Sequence, residues 1–130
     1  VVYEGVEEML KTLKASGRKI ILATSKPEEF AVRILEHFHL AAYFDFIGGA
    51  SMDGTRVKKA DVISYALKEG KVTDLSGAVM IGDRKHDILG AAQAGLDSIG
   101  VLYGYGDEAE LREAGALYLA GRVEDIAGLV

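Results

Sequence analysis

Two acidic residues four positions apart, Asp83 and Asp87, have the side-chain type and the spacing that could bind a metal ion. They follow an apolar run that ends at Ile81, and Gly82 allows the chain to turn tightly there. Magnesium prefers oxygen ligands and retains several waters, so one or two carboxylates and a phosphate are sufficient to hold it. We therefore predict a Mg²⁺ site with Asp83 and Asp87 as ligands. The alternative is that Asp83 caps a turn and Asp87 caps the next helix.

Hydroxyl and amine side chains stand at two other positions that could bind a phosphate. Thr24 and Ser25 end or follow an apolar run, and the helix start that comes next also suits an anion. Lys59 begins a helix, where a cation is electrostatically disfavoured, so its amine could instead reach back to a phosphate. We predict that Thr24, Ser25 and Lys59 bind phosphate and that Thr24 and Lys59 are catalytic. Taken alone, a Thr at a strand end and a surface Lys are both ordinary.

The remaining polar candidates have simpler explanations. His86 could act as a base, but a loop position near solvent explains it. His37 and His39 flank Phe38 at the end of a helix, and we predict that both are structural. The segment 103–106, Tyr-Gly-Tyr-Gly, either borders the site or forms a turn.

Helix and strand patterns alternate along the chain. Short apolar runs predict strands, and apolar residues at helical spacing predict helices. The predicted strands cover 19–24, 43–47, 78–81 and 98–102, with an edge strand at 117–119. Helices are predicted near Val6, from Pro27, and over 59–68, 87–94, 107–114 and 123–129.

The predicted elements carry specific expectations. Gly48 and Gly49 should end the second strand, and Pro27 should occupy the first helical position. The inward faces of two helices are predicted from their spacing: Phe30, Ile34, Leu35 and Phe38 in one, and Val62, Ile63, Ala66 and Leu67 in the other.

This alternation indicates an α/β fold, a three-layer, doubly wound parallel sheet within a single domain over residues 1–130. Such sheets bind ligands at the carboxyl ends of their strands. The candidate residues follow predicted strands or, for Lys59, open a helix. We therefore expect them to gather on one edge of the sheet.

Composition excludes several classes of function. The chain has 130 residues, 49% of them hydrophobic, and a net charge of -5 without a long basic run, so we expect no nucleic-acid partner. It has no cysteine, which excludes disulfides, thiolate metal sites and a Cys nucleophile and fits a cytoplasmic protein. No apolar run is long enough to cross a membrane. The oligomeric state is not readable from the sequence.

Together these residues resemble the haloacid dehalogenase superfamily of hydrolases. Thr24, at the end of Ile-Leu-Ala-Thr, resembles its second motif, and Lys59, with Lys58 as the alternative, its third. The segment 82–87, Gly-Asp-Arg-Lys-His-Asp, resembles the GDxxxD form of the fourth motif. The segments 24–27, 100–106 and 110–116 are similar to the phosphoglycolate-phosphatase-like branch.

The resemblance implies a Mg²⁺-dependent phosphatase that hydrolyses a small phosphate monoester through an aspartyl-phosphate. Asp83 would ligate the metal, and Asp87 would support it through water or by holding the loop. Thr24 and Lys59 would bind the phosphoryl oxygens. The alternatives are a 5′-nucleotidase, a 2-haloacid dehalogenase, or a phosphate-binding or interaction module without catalytic activity.

The first motif of that family, DxDGT, has no match. Ser51-Met-Asp-Gly-Thr55 has its last three residues, but Ser stands where the nucleophile belongs, and the segment comes after the second motif. We predict that Asp53-Gly54 is a turn. The family's central strand would then be missing, so the strands ending at Thr24 and Ile81 should not pair with each other. We expect the chain to be the later part of a longer hydrolase, without its cap domain, and to be inactive by itself.

Overall fold

The structure is a computed structural model that describes residues 5–102 and 106–130. Its helices are α1 (Val6–Ala15), α2 (Glu28–His37), α3 (Lys59–Glu69), α4 (Lys85–Gln93), α5 (Glu108–Ala114) and α6 (Ile126–Leu129). Its strands are β1 (Ile21–Pro27), β2 (Phe46–Ala50), β3 (Val79–Gly82), β4 (Asp97–Val101) and β5 (Tyr118–Ala120). Short 3-10 turns lie at Ala41–Tyr43, Leu75–Gly77 and Val123–Asp125. The chain divides into two compact units between Thr73 and Asp74.

In the first unit β1 and β2 pair in parallel, and helices cover both faces of the pair. A Cβ on Gly48 would lie 3.0 Å from the Ala66 Cβ in α3, and one on Gly49 would lie 2.6 Å from the Glu28 Cα in α2. Successive residues of a strand face opposite sides, so α2 and α3 pack on opposite faces. The prediction that Gly48 and Gly49 end the strand is wrong. Both lie within β2 because each lets a helix come close.

Helix α3 follows its prediction closely. It begins at Lys59, as expected, and it buries Val62, Ile63 and Ala66. Leu67 is half-buried at the margin of that face. The helix is thus fixed on the sheet by an apolar face that its 3.6-residue period makes readable.

Helix α2 differs from its prediction. Phe30, Ile34 and Phe38 are 48%, 41% and 40% exposed, and the buried residue of the helix is Ala31. Helix α2 approaches β2 closely at Gly49 through Glu28, its first residue, and it buries the small Ala31. Its larger side chains at 30, 34 and 38 therefore remain on the exposed side. Pro27 was predicted to be the first helical residue, but it is the N-cap residue, one position before the helix begins.

In the second unit the strand order is β3-β4-β5, and each described pair is parallel. The core of the unit contains fully buried side chains from its helices and its central strand, namely Ile88, Ile99, Leu111 and Ile126. The predicted edge strand is confirmed as β5. The last predicted helix is split, with the 3-10 turn preceding α6.

The predicted α/β class with a parallel sheet and helices is confirmed. Four of the strands lie one to three residues later than the apolar runs alone indicated, and β4 lies one residue earlier. In the described residues β1 and β3 belong to different sheets, in agreement with the expectation that they do not pair. The single-domain organisation stays a prediction. In the described part of the chain, every helix is too short or too polar to cross a membrane.

A partly exposed ion pair joins α1 to the segment before β2. The Asp45 carboxylate accepts the Ile20 backbone N–H at 2.7 Å and is 2.9 and 3.0 Å from the Lys14 Nζ. The Ile20 N–H, and then the Lys14 amine, hold the pKa of Asp45 below its ordinary value of 3.8. The charged carboxylate is therefore the form that stabilises the fold.

We expect Asp45→Asn to lower the free energy of unfolding by about 1 kcal/mol at pH 7, since the pair is partly exposed and screened by solvent. A lowered folded-state pKa contributes stability above the unfolded value, which is lost as the pH falls through the folded value. The difference between the two proteins should therefore shrink below pH 3.8. Urea unfolding at several pH values measures this. Glu36→Gln, an exposed position of α2, is the control, and a pH-independent difference would contradict the assignment.

Candidate functional site

One group of candidate residues lies at the carboxyl end of β1 in the first unit. Thr24 is half-buried, and its Oγ1 accepts the Lys26 backbone N–H at 3.2 Å. Ser25 is exposed. The pairing register with β2 shifts between Ala23 and Pro27, so the strand is irregular where these hydroxyls lie. The two hydroxyls therefore lie where β1 departs from regular pairing with β2.

Lys59 reaches the same end of β1. It is the first residue of α3, and its Nζ donates to the Ala23 carbonyl at 3.3 Å, one residue before Thr24. Lys58 is the exposed N-cap residue of the helix. The structure thus brings together Thr24 and Lys59, two of the predicted phosphate-binding residues, and favours Lys59 over Lys58 as the amine that reaches this strand end.

Arg56, which sequence reasoning missed, fixes the segment that leads to Lys59. Its Nε donates to the Gly49 carbonyl at 2.9 Å, and its guanidinium lies 3.5 Å from the centre of the Tyr65 ring. Its side chain also lies 3.8 Å from the Glu28 carboxylate. Cation–π stacking with a partly buried ion pair holds an Arg firmly. In the sequence Arg56 stands shortly before Lys58 and Lys59, but this position does not indicate the contacts that it makes.

The segment 51–56 is a turn, as predicted for Asp53-Gly54. The Asp53 carboxylate accepts the Thr55 N–H at 3.1 Å, and Gly54 has a positive φ of 82°. These bonds, first the Thr55 N–H and then its hydroxyl, lower the pKa of Asp53 to about 2. The Ser51 hydroxyl accepts the Arg56 N–H at 2.8 Å. Both side chains therefore serve the turn.

A second group of candidate residues lies in the second unit, in the segment 82–85, which runs from the last residue of β3 to the first residue of α4 and is called the Asp83 loop below. Asp87 is 8% exposed, and its Oδ2 accepts the backbone N–H of Asp83 at 3.1 Å and that of Arg84 at 3.3 Å. Asp87 is the third residue of α4, a position that suits an acid closing back on the helix start. Asp83 itself is partly exposed. Asp87 thus holds the loop on which Asp83 is placed.

Gly82 is required by this arrangement. A Cβ at Gly82 would lie 2.3 Å from the Asp87 Cβ and 2.6 Å from its Oδ2. The carboxylate therefore fills the space that any other side chain at position 82 would need.

Two further residues hold the Asp83 loop and were not predicted as site residues. The Glu110 Oε2 accepts the Lys85 N–H at 2.8 Å and lies 3.0 Å from the Arg84 Nε. These two donors, the Lys85 N–H before Arg84, lower the pKa of Glu110. The Gly106 N–H donates to the Asp83 carbonyl at 2.8 Å. Glu110 lies three residues after Asp107, a spacing typical of a local helix cap. For this reason the sequence does not indicate that Glu110 contacts the distant Asp83 loop.

The donor chemistry of the loop fits magnesium. Asp83 supplies carboxylate oxygens at a strand end, and Asp87 lies beneath it. Within residues 5–102 and 106–130 the structure holds no cluster of three or more His, Asp or Glu side chains arranged to hold a metal. Mg²⁺ does not need one, because it keeps waters and takes phosphate oxygens. The metal itself, and the part played by Asp87 in binding it, stay predictions.

The histidines take no part in the described site. His86 lies in the first turn of α4 and is exposed, so it belongs to a helix and not to a loop. His37 and His39 are exposed at the end of α2. Of the segment 103–106, residues 103–105 lie outside the described residues.

Comparison with known proteins gives a family. The pattern for haloacid dehalogenase-like hydrolases matches residues 1–101. The chain belongs to the haloacid dehalogenase-like hydrolase family. The resemblance found in the sequence is confirmed, and so is its phosphoglycolate-phosphatase-like branch. A crystal structure of a predicted phosphatase from Clostridium acetobutylicum matches with a TM-score of 0.95 at 46% identity, over 98% of this chain and 59% of that one.

Relatives within this family carry several activities. The 5′-nucleotidase of Pseudomonas aeruginosa is 44% identical over 112 residues, which are 85% of this chain and 50% of the relative. Tyrosine-protein kinase PtkA of Mycobacterium tuberculosis is 42% identical over 105 residues, 81% of this chain and 36% of the kinase. The phosphoglycolate phosphatase of Colwellia psychrerythraea is 34% identical over 115 residues, 88% of this chain and 50% of that enzyme. The chain spans about half or less of the length of these relatives.

Because the Asp83 loop leaves no room for a side chain at Gly82, we expect Gly82→Ala to cost about 1–3 kcal/mol of stability by overpacking against Asp87. Gly77→Ala is the matched control, since a Cβ there meets nothing within 4 Å. It should change stability by less than about 0.5 kcal/mol. Thermal unfolding of both variants tests this, and equal melting temperatures would show that the Asp83 loop has more room than the structure gives it.

Proposed function

We propose that the protein is a Mg²⁺-dependent phosphatase that hydrolyses a small phosphate monoester, with phosphoglycolate-like substrates as the first class to test. The observation that carries the proposal is the Asp83 loop, in which a partly exposed acid at a strand end is held by a nearly buried one. Family membership supports the phosphatase class.

In this proposal the first unit binds the phosphoryl group. The Thr24 hydroxyl can donate to a phosphate oxygen, and the Lys59 amine supplies a positive charge at the same strand end. Ser25 is exposed beside Thr24 and adds a second hydroxyl. The charge of Lys59 also offsets the acidic groups that the reaction needs.

The second unit would hold the metal. Bound Mg²⁺ would neutralise the charge that develops on the transferring phosphoryl group. Asp83 would contribute a ligating oxygen, and Asp87 would keep the Asp83 backbone in place through the two N–H groups that it accepts. The reaction implied by the family resemblance also needs an Asp nucleophile, and the proposal assigns that role to no residue of this chain. Ser51 and Asp53 are already used in the turn after β2.

A nucleoside 5′-monophosphate is the second candidate substrate. It is favoured by the 44% identity to the Pseudomonas aeruginosa 5′-nucleotidase, which exceeds the 34% identity to the Colwellia phosphoglycolate phosphatase. Phosphate release from phosphoglycolate, from nucleoside monophosphates and from p-nitrophenyl phosphate, with and without EDTA, separates the candidates. Dehalogenation of a 2-haloacid that is insensitive to EDTA would instead support the dehalogenase alternative.

Asp83→Asn in the full-length protein should lower kcat/KM for phosphate release by about a hundredfold or more, because a charged group facing the reaction is lost. The Mg²⁺ concentration for half-maximal activity should rise as well. Asp97→Asn is the matched control, since Asp97 is an exposed acid at the opposite, amino end of the same sheet. Unchanged activity in Asp83→Asn would remove the metal assignment.

Asp87→Asn should lower the activity less than Asp83→Asn. The amide oxygen can still accept the N–H groups of Asp83 and Arg84, so the Asp83 loop keeps its support while one charge is lost. Asp87→Ala leaves both N–H groups without that acceptor and should also cost about 1–3 kcal/mol of stability. Steady-state kinetics and urea unfolding of the two variants distinguish support of the loop from direct ligation. An Asn variant as inactive as Asp83→Asn would favour ligation.

A further inference from the structure

Two carboxylates from different helices share the backbone N–H groups of the Asp83 loop. Asp87, on α4, accepts the N–H groups of Asp83 and Arg84, whereas Glu110, on α5, accepts that of Lys85. Lys85 is the first residue of α4, and the N–H groups of a helix's first turn have no partner within the helix. Glu110 therefore completes, from outside, the support that Asp87 begins.

Glu110 is itself held firmly. Its backbone N–H donates to the Asp107 carboxylate at 2.7 Å, which fixes the start of α5. The next residue, Leu111, is fully buried and anchors the same turn in the core of the unit. An acid at this position commonly bonds back to its own N-cap N–H. The Glu110 Oε2 instead bonds to another helix, so α5 presents a fixed acceptor to the Asp83 loop.

The segment leading into α5 contacts Asp83 directly. The Gly106 N–H donates to the Asp83 carbonyl at 2.8 Å, and a Cβ at Gly106 would lie 2.2 Å from that oxygen. The backbone of Asp83 is thus held at its N–H by Asp87 and at its carbonyl by Gly106. Glu110 then fixes the residue at which the loop becomes a helix.

A second ion pair on α5 shows what an ordinary surface contact looks like. Glu108 pairs with the Arg112 Nε at 2.9 Å, nearly the 3.0 Å of Glu110 and Arg84. Its side chain is 57% exposed, however, against 24% for Glu110, and its partner lies on the same helix. Pairs of that kind contribute little. Glu110 differs because it also accepts a backbone N–H of a different element.

We propose that Glu110 is a positioning residue for Asp83, one that sets the geometry of the Asp83 loop and, through it, the affinity for Mg²⁺. This inference rests on the proposed function in one respect, namely that the Asp83 loop binds Mg²⁺. Residues that orient metal ligands commonly change affinity by about tenfold or more when they are replaced. Because Glu110 acts one step further away, we expect about three- to tenfold.

The test compares Glu110→Gln with Glu108→Gln in the full-length protein. Hydrogen exchange of the Lys85 and Gly106 amides, followed by NMR, reports on the Asp83 loop without any metal. A Mg²⁺ titration followed by the amide shifts of Gly82 and Asp83 reports on affinity without turnover. We expect Glu110→Gln to speed Lys85 exchange by about tenfold, because a neutral amide oxygen accepts the Lys85 N–H more weakly than the carboxylate does, and to weaken Mg²⁺ binding by about three- to tenfold. Glu108→Gln should change both by less than about twofold.

Arg84→Gln separates the two contacts of Glu110. It removes the ion pair and leaves the Lys85 N–H bonded to the carboxylate, so the exchange of Lys85 should stay close to that of the unchanged protein. An exchange rate as fast as in Glu110→Gln would overturn the assignment of the N–H contact as the one that positions the loop.

Equal exchange and equal Mg²⁺ affinity in Glu110→Gln and Glu108→Gln would overturn the inference altogether. Faster Lys85 exchange in a protein that shows no saturable Mg²⁺ response would support the positioning of the loop and refute the metal assignment of the proposed function. If Glu110→Gln does not fold, Glu110→Asp keeps the charge on a side chain one methylene shorter and is measured in the same way. An Asp variant with unchanged Lys85 exchange and Mg²⁺ affinity would also overturn the inference.

Discussion

The contact on which the second unit depends most is the acceptance of two backbone N–H groups by the nearly buried Asp87 carboxylate. A charged group with 8% exposure has lost most of its hydration, and it is tolerated only if hydrogen bonds replace the water. The N–H groups of Asp83 and Arg84 supply them. The same bonds require the chain to turn immediately after β3. As a result, the Asp87 side chain lies so close to Gly82 that no side chain fits at position 82. A single electrostatic requirement thereby accounts for the glycine at position 82 and for the placement of the Asp83 N–H.

The first unit reaches a similar result by different means. There Arg56 is held by the Gly49 carbonyl, by the Tyr65 ring and by the Glu28 carboxylate, all of them on elements of the β1–β2 sheet and its helices. The turn of residues 51–56 closes on it, and α3 begins three residues later with Lys59. In each unit, then, a polar side chain at the start of a helix is placed by contacts from neighbouring elements. The glycines at 48, 49 and 82 make those contacts possible by letting backbone and side chains approach.

Periodicity predicted the α/β class, the parallel pairing and the buried face of α3, because apolar spacing directly reflects burial. It failed for α2, where Phe30, Ile34 and Phe38 have perfect helical spacing yet remain exposed. Spacing shows that side chains share a face but not which face meets the sheet, and that choice was made by the close approach at Gly49. The end of β2 differs from its prediction for a related reason, since Gly48 and Gly49 look like stops in the sequence but are packing sites within the strand. The local geometry of the candidate site was predictable where residues contact near neighbours in sequence, as Asp83 and Asp87 do. It was not predictable for Glu110, whose partners are 25 and 26 residues away.

These contacts also bear on why relatives of this chain differ in activity. A nucleotidase, a protein kinase and a phosphoglycolate phosphatase share 44%, 42% and 34% of the aligned residues with it. A fold does not determine a reaction, so what they hold in common must be sought in features that serve more than one reaction. The bonds described here fix backbone, charge and a strand end, and none of them depends on the group attached to a phosphate. These bonds explain why the Asp83 carboxylate and the Lys59 amine have stable positions. Any transfer of a phosphoryl group would use an acid and an amine placed in this way. The choice among substrates therefore has to come from residues other than those that hold the Asp83 loop and Lys59.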